Sequence, residues 1–388
     1  MLRKLTRQVL RVAGVREPDA PPEPRSQADQ ASVRQTSGGP PATGQPPTEP
    51  ATSPPRKRTA PGPAPAAQAP VGAPQLASAG VVAPVLEAPR PPAAVPCVDP
   101  ATVQPPMFGR VPRAASVAWH LTVEPTTSGI AADQARLGGL QVRAASIVGP
   151  SHRCEEPAVA RQDSYRVGRD DAGRHLIVAV ADGMSDSRRS DIGAMVAVRC
   201  AVDSVREELN HSGQADEAIL YNAFQASAHA MVTAARGKRL PEDAVRSAMI
   251  VAIVPACPEN DSGERFAWFA SIADVSAWLH VGPTWHQLAG DPKVTGMDRN
   301  QVRHFLPHYP NEVRVVRHVL PPRATVTVVT DGVGDAFTDI PGADQWFAER
   351  WRHPMPLESF LLDVGYHASG QLDDRTAVTV WCEPDERW

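Results

Sequence analysis

Several acidic residues in this sequence stand where an apolar run meets a polar turn. Asp163 follows Gln162 just ahead of SYRV, Asp182 closes LIVAVAD before Gly183, and Asp331 closes VTVVTD before Gly332. Asp373 and Asp374 come just before TAVTVW, and Asp274 follows FASIA. A single Asp-Gly pair is an ordinary turn, and Asp-Asp before a strand is as often a solvated loop. Strand ends in a sheet domain can converge in space, however, and converging carboxylates repel unless a cation neutralises them. Oxygen-only clusters suit hard cations such as Mg²⁺ or Mn²⁺.

The segments that must carry these acids alternate in type. HLIVAVADG (175–183) is a nearly continuous apolar run and reads as a strand buried on both faces. After Ser190 the apolar residues fall at spacings of three and four, through Ile192, Met195, Val196, Val205 and Leu209, which predicts a helix with Ser190 or Asp191 as its cap. A second helix is expected over 216–235. Strand-like runs then follow at 248–254, 265–274, 276–281, 312–320, 324–332 and 375–381, with helices near 343–352 and 357–367. A strand is also expected at 142–147, followed by a loop to Asp163. Two helices before a long series of strands indicate an α+β domain with packed sheets and outer helices.

The first third of the chain is of another kind. Of 41 prolines in 388 residues, 25 precede Ala114, and no aromatic residue precedes Phe108. Such a stretch cannot bury enough apolar surface to offset its ordering entropy, so residues 1–113 are expected to be a disordered tail and 114–388 one large domain. The basic stretch MLRKLTRQVLRV reads as a solvated end.

Composition removes several function classes. The net charge of -4 gives no global reason to expect nucleic acid or an anionic membrane. No apolar run approaches the roughly 20 residues of a membrane span, and no secretory h-region follows the basic start. The five cysteines are scattered, odd in number and never paired as C-x-x-C, which argues against a disulfide framework or zinc ribbon and for the cytoplasm. There is no G-x-S-x-G elbow and no Gly-rich phosphate loop. His304 and His308 have helical metal-pair spacing, but Pro307 between them makes them loop residues.

Taken together, VRAASIVGPSHRCEEPAVARQDS, HLIVAVADGMSDSRRSDIGAMVAV, ASIADVSAWLH, TVVTDGVGDAF and LDDRTAVTV resemble the protein phosphatase 2C family, especially its actinobacterial branch, over about 140–383. The resemblance implies a four-layer α/β/β/α sandwich of two antiparallel sheets with a binuclear metal site. It implies a serine/threonine phosphatase in which a hydroxide bridging two Mn²⁺ or Mg²⁺ ions attacks phosphorus, with a third ion as an option. By position, Asp182 would bridge the two metals, the Gly183 carbonyl would bind one, and Asp331 and Asp373 would complete the other's shell. Gln162 stands where the family has Glu. Asp163 would order metal-bound water, Asp274 would lie near the third ion, and Asp374 would support rather than ligate. Arg153 would grip the substrate phosphate, and His152 would protonate the leaving oxygen. The implied partners are phosphorylated serine/threonine proteins and a cognate kinase, met by a monomeric enzyme.

Three departures stand out: Gln162, the MSDSRRSDIG stretch after Asp-Gly, and Ala273 and Val275 in place of the family's Gly and Ser beside Asp274. The alternatives are a pseudophosphatase that binds a kinase or phosphoprotein without turnover, and a scaffold whose Pro-rich tail recruits readers of polyproline II.

Overall fold

The computed structural model describes residues 104–110, 119–124, 126–291 and 302–383. In chain order the elements begin with β1 (Met107–Phe108), β2 (Ile130–Leu137), β3 (Leu140–Ile147), α1 (Pro150–Arg153), β4 (Ser164–Arg169) and β5 (His175–Gly183). Two long helices follow, α2 (Ser190–Ser212) and α3 (Glu217–Gly237), then β6 (Ser247–Pro255), β7 (Arg265–Ile272), β8 (Ser276–Val281) and β9 (Thr284–Ala289). The last part comprises β10 (Arg314–Leu320), β11 (Thr325–Val329), α4 (Asp331–Asp339), α5 (Ala343–Arg350), α6 (Leu357–Val364), β12 (His367–Ala368) and β13 (Arg375–Cys382).

Two antiparallel sheets form the centre. One has the order β10-β7-β6-β5-β4 and the other β2-β3-β13-β11-β8-β9. β5 shows why its sequence is apolar throughout. Val178 and Val180 face the second sheet, where Val142, Val326 and Val378 meet them. Ile177, Ala179 and Ala181 face outward into α2 and α3, against Ala197, Ala201 and Phe224. The far side of the second sheet is covered by α4, α5 and α6, through Phe337, Phe347, Trp351 and Phe360 on Ala145, Val329 and Ala377. The layers are therefore α/β/β/α, the α+β sandwich expected.

Local chemistry explains most element ends, and some differ from the sequence reading. α3 starts where Asp216 Oδ1 accepts from the Ile219 amide at 3.0 Å. α2 ends on Gly213 with φ 74, the left-handed conformation that favours glycine. Neither Ser190 nor Asp191 caps α2: the N-cap is Arg189, and the Asp191 carboxylate takes the Arg189 guanidinium at 3.0 and 3.1 Å. The run expected as a strand over 324–332 leaves the sheet at Val329, and Asp331 opens α4. The stretch expected as a loop before Asp163 contains α1.

The packed part of the chain also begins before residue 114. β1 pairs in parallel with β12, and the Phe108 ring lies 5.5 Å from Trp346, 5.8 Å from Phe347 and 5.7 Å from Tyr366. The rest of the expected tail, residues 1–103 and 111–113, lies outside the described residues, and the basic start with it. Among the described residues no helix is long and apolar enough to cross a membrane.

Candidate metal centre

The sheet register brings the acid-bearing ends to one edge. β4 starts opposite the end of β5 (Ser164 with Ala181), and β8 starts opposite the end of β11 (Ser276 with Val329). β13 starts opposite the end of β3 (Arg375 with Ile147), and Ala377 pairs with Val329. Asp163, Asp182, Asp274, Asp331 and Asp373 are each within two residues of one of these ends.

Electrostatics register the convergence. The Asp182 carboxyl is pushed well above the usual carboxylate range, first by its enclosure and then by the charges of Asp163, Asp331, Asp274 and Asp373. Asp163 is raised too, by burial and by Asp374, although hydroxyls of Thr376 and Thr330 each donate to its Oδ2 at 2.8 Å and oppose the shift. Asp373 is raised by its enclosed setting and by Asp374, although its side chain is exposed.

Asp374 behaves differently. It is 2% exposed, and burial alone would raise it. The hydrogen bond and charge of His152, with the amides of Gly149 and Gln162, hold it below the ordinary value instead. Its Oδ1 accepts from the Gly149 amide at 2.6 Å and lies 2.9 Å from His152 Nδ1, while Oδ2 accepts from the Gln162 amide at 2.5 Å. Burial likewise opposes charge on His152, but Asp374, with Asp373 and Asp163 adding, outweighs it and raises the imidazole to about 9. This pair is an ion pair with His152 Nδ1–H donating.

The ligand atoms of His152, Asp373 and Asp374 lie within 4.8 Å of one another, the one such group of three among the described residues. Asp182, Asp331 and Asp373 share one edge but do not form so tight a group. The donors present fit a hard divalent cation. They are carboxylate and carbonyl oxygens, and the buried Gln162 Oε1 has no hydrogen-bond partner in the protein.

Backbone packing fixes the loop that carries Asp373 and Asp374. A Cβ on Gly332 would fall 1.9 Å from the Asp374 carbonyl oxygen, and one on Gly149 would fall 2.3 Å from that of Asp373. Only glycine allows these approaches. Tyr366 donates to the Gly332 carbonyl at 2.7 Å, and the buried Arg375 donates to the Gln371 carbonyl at 2.6 Å. Beneath the site, Arg161 donates to Ser146 and Ser146 bonds Thr376 at 2.6 Å, so the threonine that holds Asp163 is itself held.

Arg153 is buried at the end of α1 with its guanidinium 4.9 Å from the Trp119 ring centroid. Asp274 and Asp331 line a small pocket with Asp335, which the sequence reading passed over. Asp335 lies four residues after Asp331, on the same face of α4, a spacing that becomes visible only once the helix start at Asp331 is known. Ala273, in the family's Gly position, adopts φ 70, a left-handed conformation next to Asp274. His304 and His308 lie outside any helix, and His308 Nε2 lies 2.9 Å from Asp243 Oδ1.

This sandwich with an acidic cluster at the strand ends is that of a protein phosphatase. The chain belongs to the protein phosphatase 2C family, whose model matches residues 148–359. Among solved structures it is similar to a serine/threonine phosphatase of S. agalactiae, at 15% identity over 63% of this chain and 100% of that one, with a TM-score of 0.44. It is also similar to the Mycobacterium tuberculosis serine/threonine phosphatase PstP/Ppp, at 17% identity over 63% and 99% with a TM-score of 0.42. A third is the catalytic domain of PstP in complex with 2 manganese ions, at 15% identity over 62% and 97% with a TM-score of 0.43. No curated protein matches the sequence.

Proposed function

We propose that this domain hydrolyses phosphoserine and phosphothreonine in partner proteins, using two Mn²⁺ or Mg²⁺ ions. The observation that carries the reading is the strand register that brings Asp163, Asp182, Asp274, Asp331 and Asp373 to neighbouring strand ends. In this reading Asp182, the Gly183 carbonyl, Asp331 and Asp373 would hold the two ions. Gln162, whose buried Oε1 has no hydrogen-bond partner, would offer a neutral oxygen beside them, and Asp274 with Asp335 would hold a third ion. Divalent cations there would neutralise charge on the phosphoryl oxygens and make water a nucleophile at neutral pH.

The chain's own groups do the rest. Arg153 grips the phosphate with its bidentate fork, kept in place by Trp119. His152 is protonated at neutral pH and commits Nδ1–H to Asp374, so Nε2–H is the proton that moves to the leaving serine or threonine oxygen. Asp163, held by two threonine hydroxyls, orients the attacking water. A cytoplasmic setting is supported by the scattered, odd-numbered cysteines of the sequence. A cognate serine/threonine kinase and its targets are the natural partners.

The competing pseudophosphatase reading draws on Gln162, which brings no charge where the family has Glu. Hydrolysis of p-nitrophenyl phosphate and of a phosphothreonine peptide with Mn²⁺ decides between them. Turnover lost at least 100-fold in Asp182→Asn supports the enzyme. Phosphopeptide binding by calorimetry without any turnover above that variant supports the binding module.

A further inference from the structure

A cleft of about 200 Å³ opens beside the acidic cluster, between residues 122–124 and 126, residues 157–160 and 162, and the start of α2. It adjoins the proposed metal seat directly, since a Cβ on Gly183 would lie 2.7 Å from Ser190 Cβ and 3.0 Å from Gln162 Cβ. One wall is apolar, with Val123, Pro157 and Val159. Ser190, the first residue of the 23-residue helix α2, also lines the cleft. It is 1% exposed, and its hydroxyl has no hydrogen-bond partner.

Two arginines stand beside it with unequal surroundings. Arg189 is held by Asp191 at 3.0 Å and by Glu124 at 2.9 Å. Arg188 lines the same cleft, is exposed, and makes no ion pair among the described residues. The cleft therefore offers a buried hydroxyl at the positive end of a long helix, an apolar wall and one uncompensated cation at the rim.

We propose that this cleft seats the polypeptide flanking the phosphorylated residue of the substrate, and that Arg188 selects an acidic side chain there. The inference rests on the phosphatase reading above. A chain whose phosphate lies at the metal seat passes this opening. The apolar wall covers an aliphatic stem, Ser190 meets the main chain, and Arg188 meets the carboxylate. An ion pair at an exposed rim is worth little, up to about fivefold in affinity, and weakens with salt.

Initial rates of phosphate release by the full chain with Mn²⁺ test this, with KM compared between a Glu-flanked phosphothreonine peptide and an Ala-flanked one. The Glu-flanked peptide should have a KM about fivefold lower. Arg188→Ala should bring the ratio to one, Arg188→Glu should invert it, and Ser190→Ala should raise KM for both peptides alike. The proposal is overturned if wild type gives both peptides the same KM, or if the preference survives Arg188→Glu. Turnover of p-nitrophenyl phosphate by the wild type, which carries no flanking chain, reports separately on the phosphatase reading. Turnover without a peptide preference sinks this subsite alone. No turnover of p-nitrophenyl phosphate or of either peptide sinks both.

Discussion

The carboxylate of Asp374 holds three parts of the site at once: the turn at Gly149, the imidazole of His152 and the backbone at Gln162. Removing it leaves two amides without their acceptor and a buried imidazolium without its counter-ion. Asp374→Ala should cost about 3 kcal/mol in urea denaturation, because breaking a buried pair from one side leaves an uncompensated charge. The acids around Asp182 make a second residue-level prediction. Asp163, Asp182 and Asp373 have raised carboxyls, so without cations each costs nothing while protonated and costs stability as pH rises above 3.8 toward its raised value. His152 contributes in full below 6.5 and loses that contribution as pH rises through about 9. Both effects lower the stability of the cation-free chain as pH rises. Saturating Mn²⁺ should therefore raise Tm at pH 8, by about 5–10 °C, and by much less at pH 5. An equal rise at both would contradict the assignment of these acids to the metal seat.

At the scale of elements, the site depends on how closely the segments approach. Gly332 sits in the first turn of α4 against the Asp374 carbonyl, so Gly332→Ala forces backbone apart. It should cost about 1–3 kcal/mol, and weaker Mn²⁺ binding by calorimetry should accompany the loss. Ala273 offers the opposite test. Its left-handed backbone strains any residue with a Cβ, so Ala273→Gly should stabilise the protein, by about 0.5–1 kcal/mol after the added freedom of the unfolded chain is counted. The elements themselves were unequally legible. β5 and α2 announced themselves because their apolar residues face packed layers, on both sides for the strand and along one stripe for the helix. β2 (IAADQARL) and β9 (TWHQLA) did not, because edge strands exposed over most of their length carry no alternating apolar signal. α4 was missed because TVVTDG reads as one run, while the turn into the helix is made by tertiary contacts at Thr330 and Gly332. Asp335 went with it. The order of acids at strand ends was visible in the sequence. The Asp374–His152 pair was not, since 222 positions separate its partners.

For the whole molecule, the two sheets place all five acids at one edge of the sandwich, while the helices cover the outer faces. Phe108 ties the start of the packed chain to Trp346, Phe347 and Tyr366, and Tyr366 in turn holds Gly332. A chain starting at residue 104 should match the full protein in thermal stability and turnover. One starting at 114 should lose about 1 kcal/mol, the worth of a half-buried phenylalanine, measured by chemical denaturation. The central claim is that Asp182, Asp331 and Asp373 together hold a pair of divalent ions. Anomalous scattering from a crystal soaked in Mn²⁺ tests it most directly. The account predicts two peaks about 4 Å apart, both within bonding distance of Asp182. No peak between these aspartates, or a single ion held only by His152, Asp373 and Asp374, would contradict it.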